Sequence, residues 1–191
     1  MKIGILVSHP TQFDIPVFRL GANTIEVVYS NNALTETIFD PELGRNVLWS
    51  KNNFKGYKYL VVPKKRSIFY LYNHIKNSNY DLLITNGYFT LHYIVGIIAG
   101  RRYANKNSIR LDSVMFRNVS ALKKTLKKIL FGILNKFIDH YFVVSSLSRD
   151  YLTYFGIDKA IISFYGYITD EKLFKFKTIK NIDNIISERK M

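Results

Sequence analysis

The sequence predicts an α/β fold built on an open, mostly parallel sheet with helices on both faces. Three observations carry that expectation. Short runs rich in β-branched and aromatic residues recur along the chain. Helix-like stretches separate them, which is the pattern of βαβ units. The runs are apolar almost throughout instead of alternating, as strands covered on both faces require.

The elements follow in order. Residues 2–8 (KIGILVS) read as a first buried strand. Asp14-Ile15-Pro16 opens a short helix to Leu20, with proline suited to the first turn and Gly21 as the stop. Residues 24–29 (TIEVVY) form a second strand. Residues 31–54 hold Asp40-Pro41, Gly44 and the only tryptophan, and read as a long functional excursion across the top of the sheet. Residues 57–62 make a third strand ended by Pro63, and 67–78 a helix with Ser67 as its N-cap. A fourth strand (81–85), an apolar helix (89–102), a fifth strand (108–114) and a helix from Ser120 to about Asp139 come next. A sixth strand (140–145), a short helix (148–155) ended by Gly156 and a seventh strand (160–165) close the series. The expected domain is 1–174, with 175–191 a tail or the start of a linker.

Composition bounds the function. The chain has 191 residues, of which 48% are apolar and 15% aromatic, enough for a core without staples. It has no cysteine, so disulfides, thiolate metal sites and a cysteine nucleophile are excluded; the absence fits a reducing, cytoplasmic setting. Lys and Arg number 28 against 14 acidic residues, a net charge of +14. No apolar run reaches the roughly 20 residues needed to span a bilayer. That much positive charge can still hold the chain against an anionic surface, as a peripheral protein on the inner face of a membrane.

In a sheet of this kind ligands bind beyond the carboxyl ends of the strands. The loop after the first strand, Ser8-His9-Pro10-Thr11-Gln12-Phe13, lacks the GxGxxG spacing of a dinucleotide site, and no P-loop occurs. His9 stands where a general base or substrate donor belongs, or it bonds locally at the helix start. Asn86-Gly87-Tyr88 follows the fourth strand; Gly87 permits a positive-φ turn, and Asn86 and Tyr88 either point into a cleft or make a plain turn. Arg110 and Asp112 share a strand face at period two. Asp112 suits a proton or a sugar hydroxyl, and Arg117 an anion; alternatively Arg110 and Asp112 pair on the surface. The four histidines are scattered, and neither HExxH nor GxSxG occurs, so no metal site or serine elbow is expected.

The helix from Ser120 is the clearest physical feature. Leu122, Leu126, Ile129, Ile133 and Phe137 keep helical spacing, with Lys123, Lys124, Lys127 and Lys128 beside them. Two outcomes follow. The helix lies on an anionic membrane with its lysines on phosphates, or it packs its apolar face on the sheet and leaves the lysines in water. Nucleic acid ranks behind both, since no reader motif accompanies the charge.

Taken together, residues 2–10, Gln12-Phe13 and Pro16-Val17-Phe18, then residues 40–45 (DPELGR) with Trp49 and Gly56-Tyr57, resemble the N-terminal, acceptor-side half of GT-B, family-4-like glycosyltransferases. So do residues 80–84 with Asn86-Gly87-Tyr88, the Arg110–Ser113 strand end, and residues 142–146 with Tyr151, Gly156 and Lys159. The resemblance covers roughly residues 2–174. It implies transfer of a hexose from a nucleotide-sugar donor, a co-substrate rather than a bound cofactor, to a glycan or lipid-linked acceptor in surface polysaccharide synthesis, with retention and without a required metal. The second domain of such enzymes holds most donor contacts, and no E-x7-E pattern follows Gly166. The chain is therefore expected to be truncated or one chain of a split enzyme, inactive without a separate donor-binding partner. Within that reading His9 and Asp112 are the catalytic candidates, and Gln12, Asn86, Tyr88, Arg110 and Arg117 the substrate-binding ones. A non-catalytic membrane-surface adaptor on the same scaffold is the alternative.

Overall fold

The computed structural model describes residues 1–30, 38–40, 44–47, 54–115 and 120–166. Seven strands, β1 (Ile3–Val7), β2 (Ile25–Tyr29), β5 (Lys58–Val61), β6 (Leu82–Thr85), β7 (Lys106–Leu111), β8 (His140–Val143) and β9 (Ile162–Phe164), form one sheet in the order β5-β2-β1-β6-β7-β8-β9. Every neighbouring pair is parallel. The chain runs outward from β1 through β2 to β5, then returns to place β6 on the other side of β1. That reversal opens a crevice at the carboxyl ends of β1 and β6.

Side chains alternate across the sheet and divide the core. Ile5, Val7, Val27 and Tyr29 pack with Ile15 and Phe18 of α1 (Ile15–Leu20) on one face. On the other face, Leu6, Val28 and Leu83 pack with α2 (Ser67–Ser78) and α3 (Leu91–Tyr103). Ile109, Leu111, Tyr141 and Val143 continue that face beneath α4 (Ala121–Leu134) and α5 (Ser146–Tyr154). Strands buried on both sides explain why the sequence shows continuous apolar runs. The helix α3 sits close to the sheet because it presents no Cβ at two contacts: a methyl at Gly96 would run into Leu6, and one at Gly100 into Asn107 and Leu83. Asn107 is fully buried, and its amide donates to the carbonyls of Ile97 (2.8 Å) and Phe137 (2.9 Å). It thereby ties α3 to the segment after α4 without leaving those donors unmet.

Several boundaries differ from expectation. The excursion after β2 carries a two-stranded antiparallel ribbon, β3 (Ile38–Asp40) with β4 (Arg45–Val47), turning near Gly44 at φ +58°. Ser67 is the first residue of α2; Arg66 holds the cap position at φ +53° without a side-chain bond. The helix α4 stops at Leu134, short of Asp139, and the start of the predicted seventh strand is a 3₁₀ turn (Lys159–Ile161). Residues 175–191 and the boundary at 174 lie outside the described residues.

At the amino ends of the strands Glu26 is buried but ion-paired. Lys2 Nζ lies 3.2 Å and Lys58 Nζ 3.4 Å from its carboxylate, and the Tyr80 hydroxyl donates to it at 3.0 Å. Burial pushes its pKa up, but these partners outweigh burial and hold it below the ordinary 4.5. Burial also pulls His9, His74 and His92 below 6.5, against the opposing pull of Asp14 on His9 and of Glu26 on His74. All four groups have folded values below their unfolded ones, so the unfolded chain binds more protons and stability rises with pH. We expect full stability above pH 6.5, a first loss as pH falls below it, and a second below 4.5. Urea midpoints measured from neutral pH down to about 5 test the first step; a flat profile there contradicts the burial of the histidines.

Candidate functional site

The crevice is built from the residues that follow each strand. Thr11, Phe13, Asp14, Asn86, Arg110, Asp112 and Val144 line a cavity of about 260 Å³ there. Asp14 comes from the start of α1, Asn86 from the end of β6, Arg110 from β7 and Asp112 from just beyond it. Gly87, at φ +105°, lets the chain turn away directly after Asn86.

An ion pair is the centre of this site. The Arg110 guanidinium grips Asp14 through both terminal nitrogens: Nη1 donates to Oδ1, and Nη2 to Oδ2 at 3.0 Å. Its Nε donates to Asn86 Oδ1 at 2.9 Å, and the ring of Tyr165 lies 5.1 Å away. Both charged side chains are buried, 7% and 1% exposed. Thr11 Oγ1 donates to Asp14 Oδ2 at 2.8 Å and accepts from the Asp14 backbone N–H at 3.2 Å. Asp14 occupies the N-cap position of α1, yet makes no side-chain cap. Its carboxylate serves Arg110 instead, so α1, β6 and β7 are clamped together across the crevice floor.

The Arg110 guanidinium is buried and faces Asp14 and Asn86, while Asp112 is exposed and lines the same cavity. Arg110 and Asn86, the expected substrate contacts, both line the cavity and bond each other, and Arg110 also holds Asp14, 96 positions away in the chain. Tyr88 is not among the residues that line this cavity. It is buried against Phe131 of α4, with ring centroids 5.6 Å apart, because the Gly87 turn directs it under that helix.

His9 is half-buried beside the crevice, and its Nδ1 shares a 2.7 Å hydrogen bond with the Ser8 hydroxyl. Since its pKa lies below 6.5, it is neutral at neutral pH and can take a proton. Gln12 is exposed at the same loop, and Arg117 lies outside the described residues. Among the described residues no group of three or more histidines or carboxylates is placed to hold a metal ion. Asp14 and Thr11 are the site residues that sequence reading missed. The one local signal, an Asp before Ile-Pro, reads as an ordinary helix start.

The lysines of α4 divide. Lys127 Nζ donates to the Tyr151 hydroxyl of α5 at 2.7 Å, and Lys124 lies 5.9 Å from the Tyr154 ring. Those two are partly buried, while Lys123 and Lys128 are exposed.

No family model and no curated protein matches the sequence. Solved structures match the fold. HepE of Anabaena, crystallised with UDP and glucose, aligns at TM-score 0.61 and 16% identity, over 98% of this chain and 50% of its own. The same protein with UDP-glucose gives 0.60 at 15% identity, over 98% and 49%. The UDP-N-acetylglucosamine 2-epimerase of Rickettsia bellii gives 0.52 at 14% identity, over 96% and 51%. At such identities the likeness is one of fold: a Rossmann-like α/β unit of the GT-B kind. The chain spans about half the length of the proteins it matches.

Proposed function

We propose that this chain is the acceptor-binding half of a nucleotide-sugar-dependent glycosyltransferase of GT-B fold, completed by a donor-binding Rossmann-like unit. The observation that carries the reading is the open cavity at the sheet's switch point, rimmed by Asp112 and Asn86, on a fold shared with HepE solved with UDP and glucose. In the reaction, the bond from sugar C1 to the diphosphate oxygen breaks and a bond from C1 to an acceptor hydroxyl forms. UDP or a related diphosphate leaves, and the hydroxyl proton passes to a base. The donor unit stabilises the leaving diphosphate. This chain's part is to bind the acceptor: Asp112, beyond β7, accepts a hydrogen bond from a sugar hydroxyl, and neutral His9, in the loop after β1, is available as a proton acceptor. The Arg110–Asp14 clamp holds Asn86 and the crevice floor in position. The acceptor is a carrier-linked or growing glycan.

The test is affinity purification of the tagged chain from its native host, followed by assay of the eluate with a panel of nucleotide sugars. We expect a co-purifying polypeptide with a second Rossmann-like unit, and nucleoside diphosphate release that depends on added glycan or glycolipid acceptor. Epimerisation of the nucleotide sugar without any acceptor would overturn the reading in favour of a sugar-nucleotide epimerase. A purified assembly that turns over no nucleotide sugar would overturn it in favour of a non-catalytic scaffold.

A further inference from the structure

The helix α4 lies on the sheet with the opposite orientation to that expected of a packed amphipathic helix. Of its residues only Phe131 is buried, its ring set between Tyr88, Tyr151 and Phe155. The aliphatic stripe Leu122, Leu126, Ile129 and Ile133 faces away from the core and is 52–70% exposed. Residues at i, i+4, i+7 and i+11 share one side of a helix, so this is a continuous ridge. With a turn of about 100° per residue, Lys123 borders the ridge beside Leu126, while the exposed Lys128 falls on the flank between the ridge and Phe131. The neighbouring helix α3, on the same face of the sheet, exposes Leu91, Ile94 and Ile98 in the same manner. Together α2, α3 and α4 carry seven Lys or Arg residues and no carboxylate.

We infer that this helical face docks on an anionic lipid bilayer, with the α4 ridge inserted at the headgroup–acyl boundary and Lys123 and Lys128 on lipid phosphates. Three features select that occupant. An outward apolar ridge, on a helix whose charged residues are all lysines and whose Lys123 and Lys128 are exposed, is the arrangement of an interfacial helix. Charge complementarity favours a negative surface, since no acidic side chain on three helices opposes it. A second copy of the chain meeting ridge to ridge would bring two wholly basic helical faces together. An acidic protein partner fits less well, because the ridge is Leu and Ile only, and lacks the Trp, Tyr and Arg that anchor protein interfaces. The inference does not depend on glycosyl transfer, and it assigns Lys124 and Lys127 to the contact with α5 instead of to lipid.

Flotation of the full chain with vesicles tests it. One set is phosphatidylcholine alone; the other is equal parts phosphatidylcholine and phosphatidylglycerol. We expect binding to the mixed vesicles, little to the neutral ones, and weakening as salt is raised. The double change Leu126→Glu with Ile129→Glu alters only exposed positions and is expected to lower the partition coefficient at least tenfold, with an unchanged circular dichroism spectrum and melting curve. Lys123→Gln with Lys128→Gln is expected to lower it roughly 25-fold, at about fivefold per lysine. Lys124→Gln is expected to leave it unchanged. Equal binding to both vesicle types, or full binding by the glutamate variant, would overturn the inference. So would a dimer in sedimentation that the glutamate variant dissolves, which would give the face to a second copy.

Discussion

Replacing Arg110 with alanine is expected to cost about 3–5 kcal/mol of folding stability. The substitution leaves the Asp14 carboxylate, 1% exposed, without the guanidinium that both of its oxygens bond. It also takes the hydrogen-bond donor from Asn86. In a chain of this size each kcal/mol moves Tm by about 2–4 °C, so calorimetry should record a drop of roughly 10 °C. Asp14→Ala is expected to do as much from the other side. Arg110→Lys does not restore the loss, since an ammonium cannot offer two parallel bonds to a carboxylate and a third to Asn86. The paired change Arg110→Met with Asp14→Leu removes both charges together and is expected to recover most of the stability, because burying an ion pair gains little over apolar packing. A loss below about 1 kcal/mol for Arg110→Ala would mean that the clamp is not what holds the crevice.

That clamp also marks the limit of what was legible in the sequence. Continuous apolar runs from Ile3 to Val7 and from Leu82 to Thr85 were enough to predict parallel strands, because burial on both faces imposes a local compositional rule. The carboxyl-end loops follow from that strand pattern, and Asn86, Arg110 and Asp112 line one cavity there. What the sequence could not reveal was which of them bond each other. Asp14 and Arg110 are 96 positions apart, and nothing in the grammar of either element refers to the other. The orientation of α4 was lost for a related reason. A pattern of period 3.6 identifies an apolar face but does not state what that face meets. Phe131, on the opposite side, won the core because aromatic partners from β6–α3 and α5 surround it.

The same cavity holds two aspartates with opposite fates, and this sets the largest expected effect on activity. Asp14 is buried and committed to Arg110, so removing it is a stability experiment. Asp112 is exposed at the rim, so Asp112→Asn is expected to leave Tm within about 1 °C, as surface changes do. In the assembly with its donor-binding partner, Asp112→Asn is expected to lower kcat by about 10²-fold, the low end for losing a positioned proton acceptor. Amide for carboxylate keeps the shape but removes the charge that, in the proposed transfer, a developing oxocarbenium and a departing hydroxyl proton would both favour. His9→Ala is expected to lower kcat/KM to a similar degree and to add a diagnostic sign. If His9 acts as a base in the proposed transfer, the activity of the assembly is expected to fall on the acid side with a midpoint below 6.5, because burial lowers the His9 pKa. The alanine variant should lose that acid limb. Asp112→Asn should keep it, since His9 still titrates. A wild-type rate in both variants, measured with a saturating acceptor, would return the loop after β1 and the end of β7 to a purely structural role. A lost rate with an unchanged acid limb in His9→Ala would leave Asp112 as the acting group and His9 as packing beside Ser8.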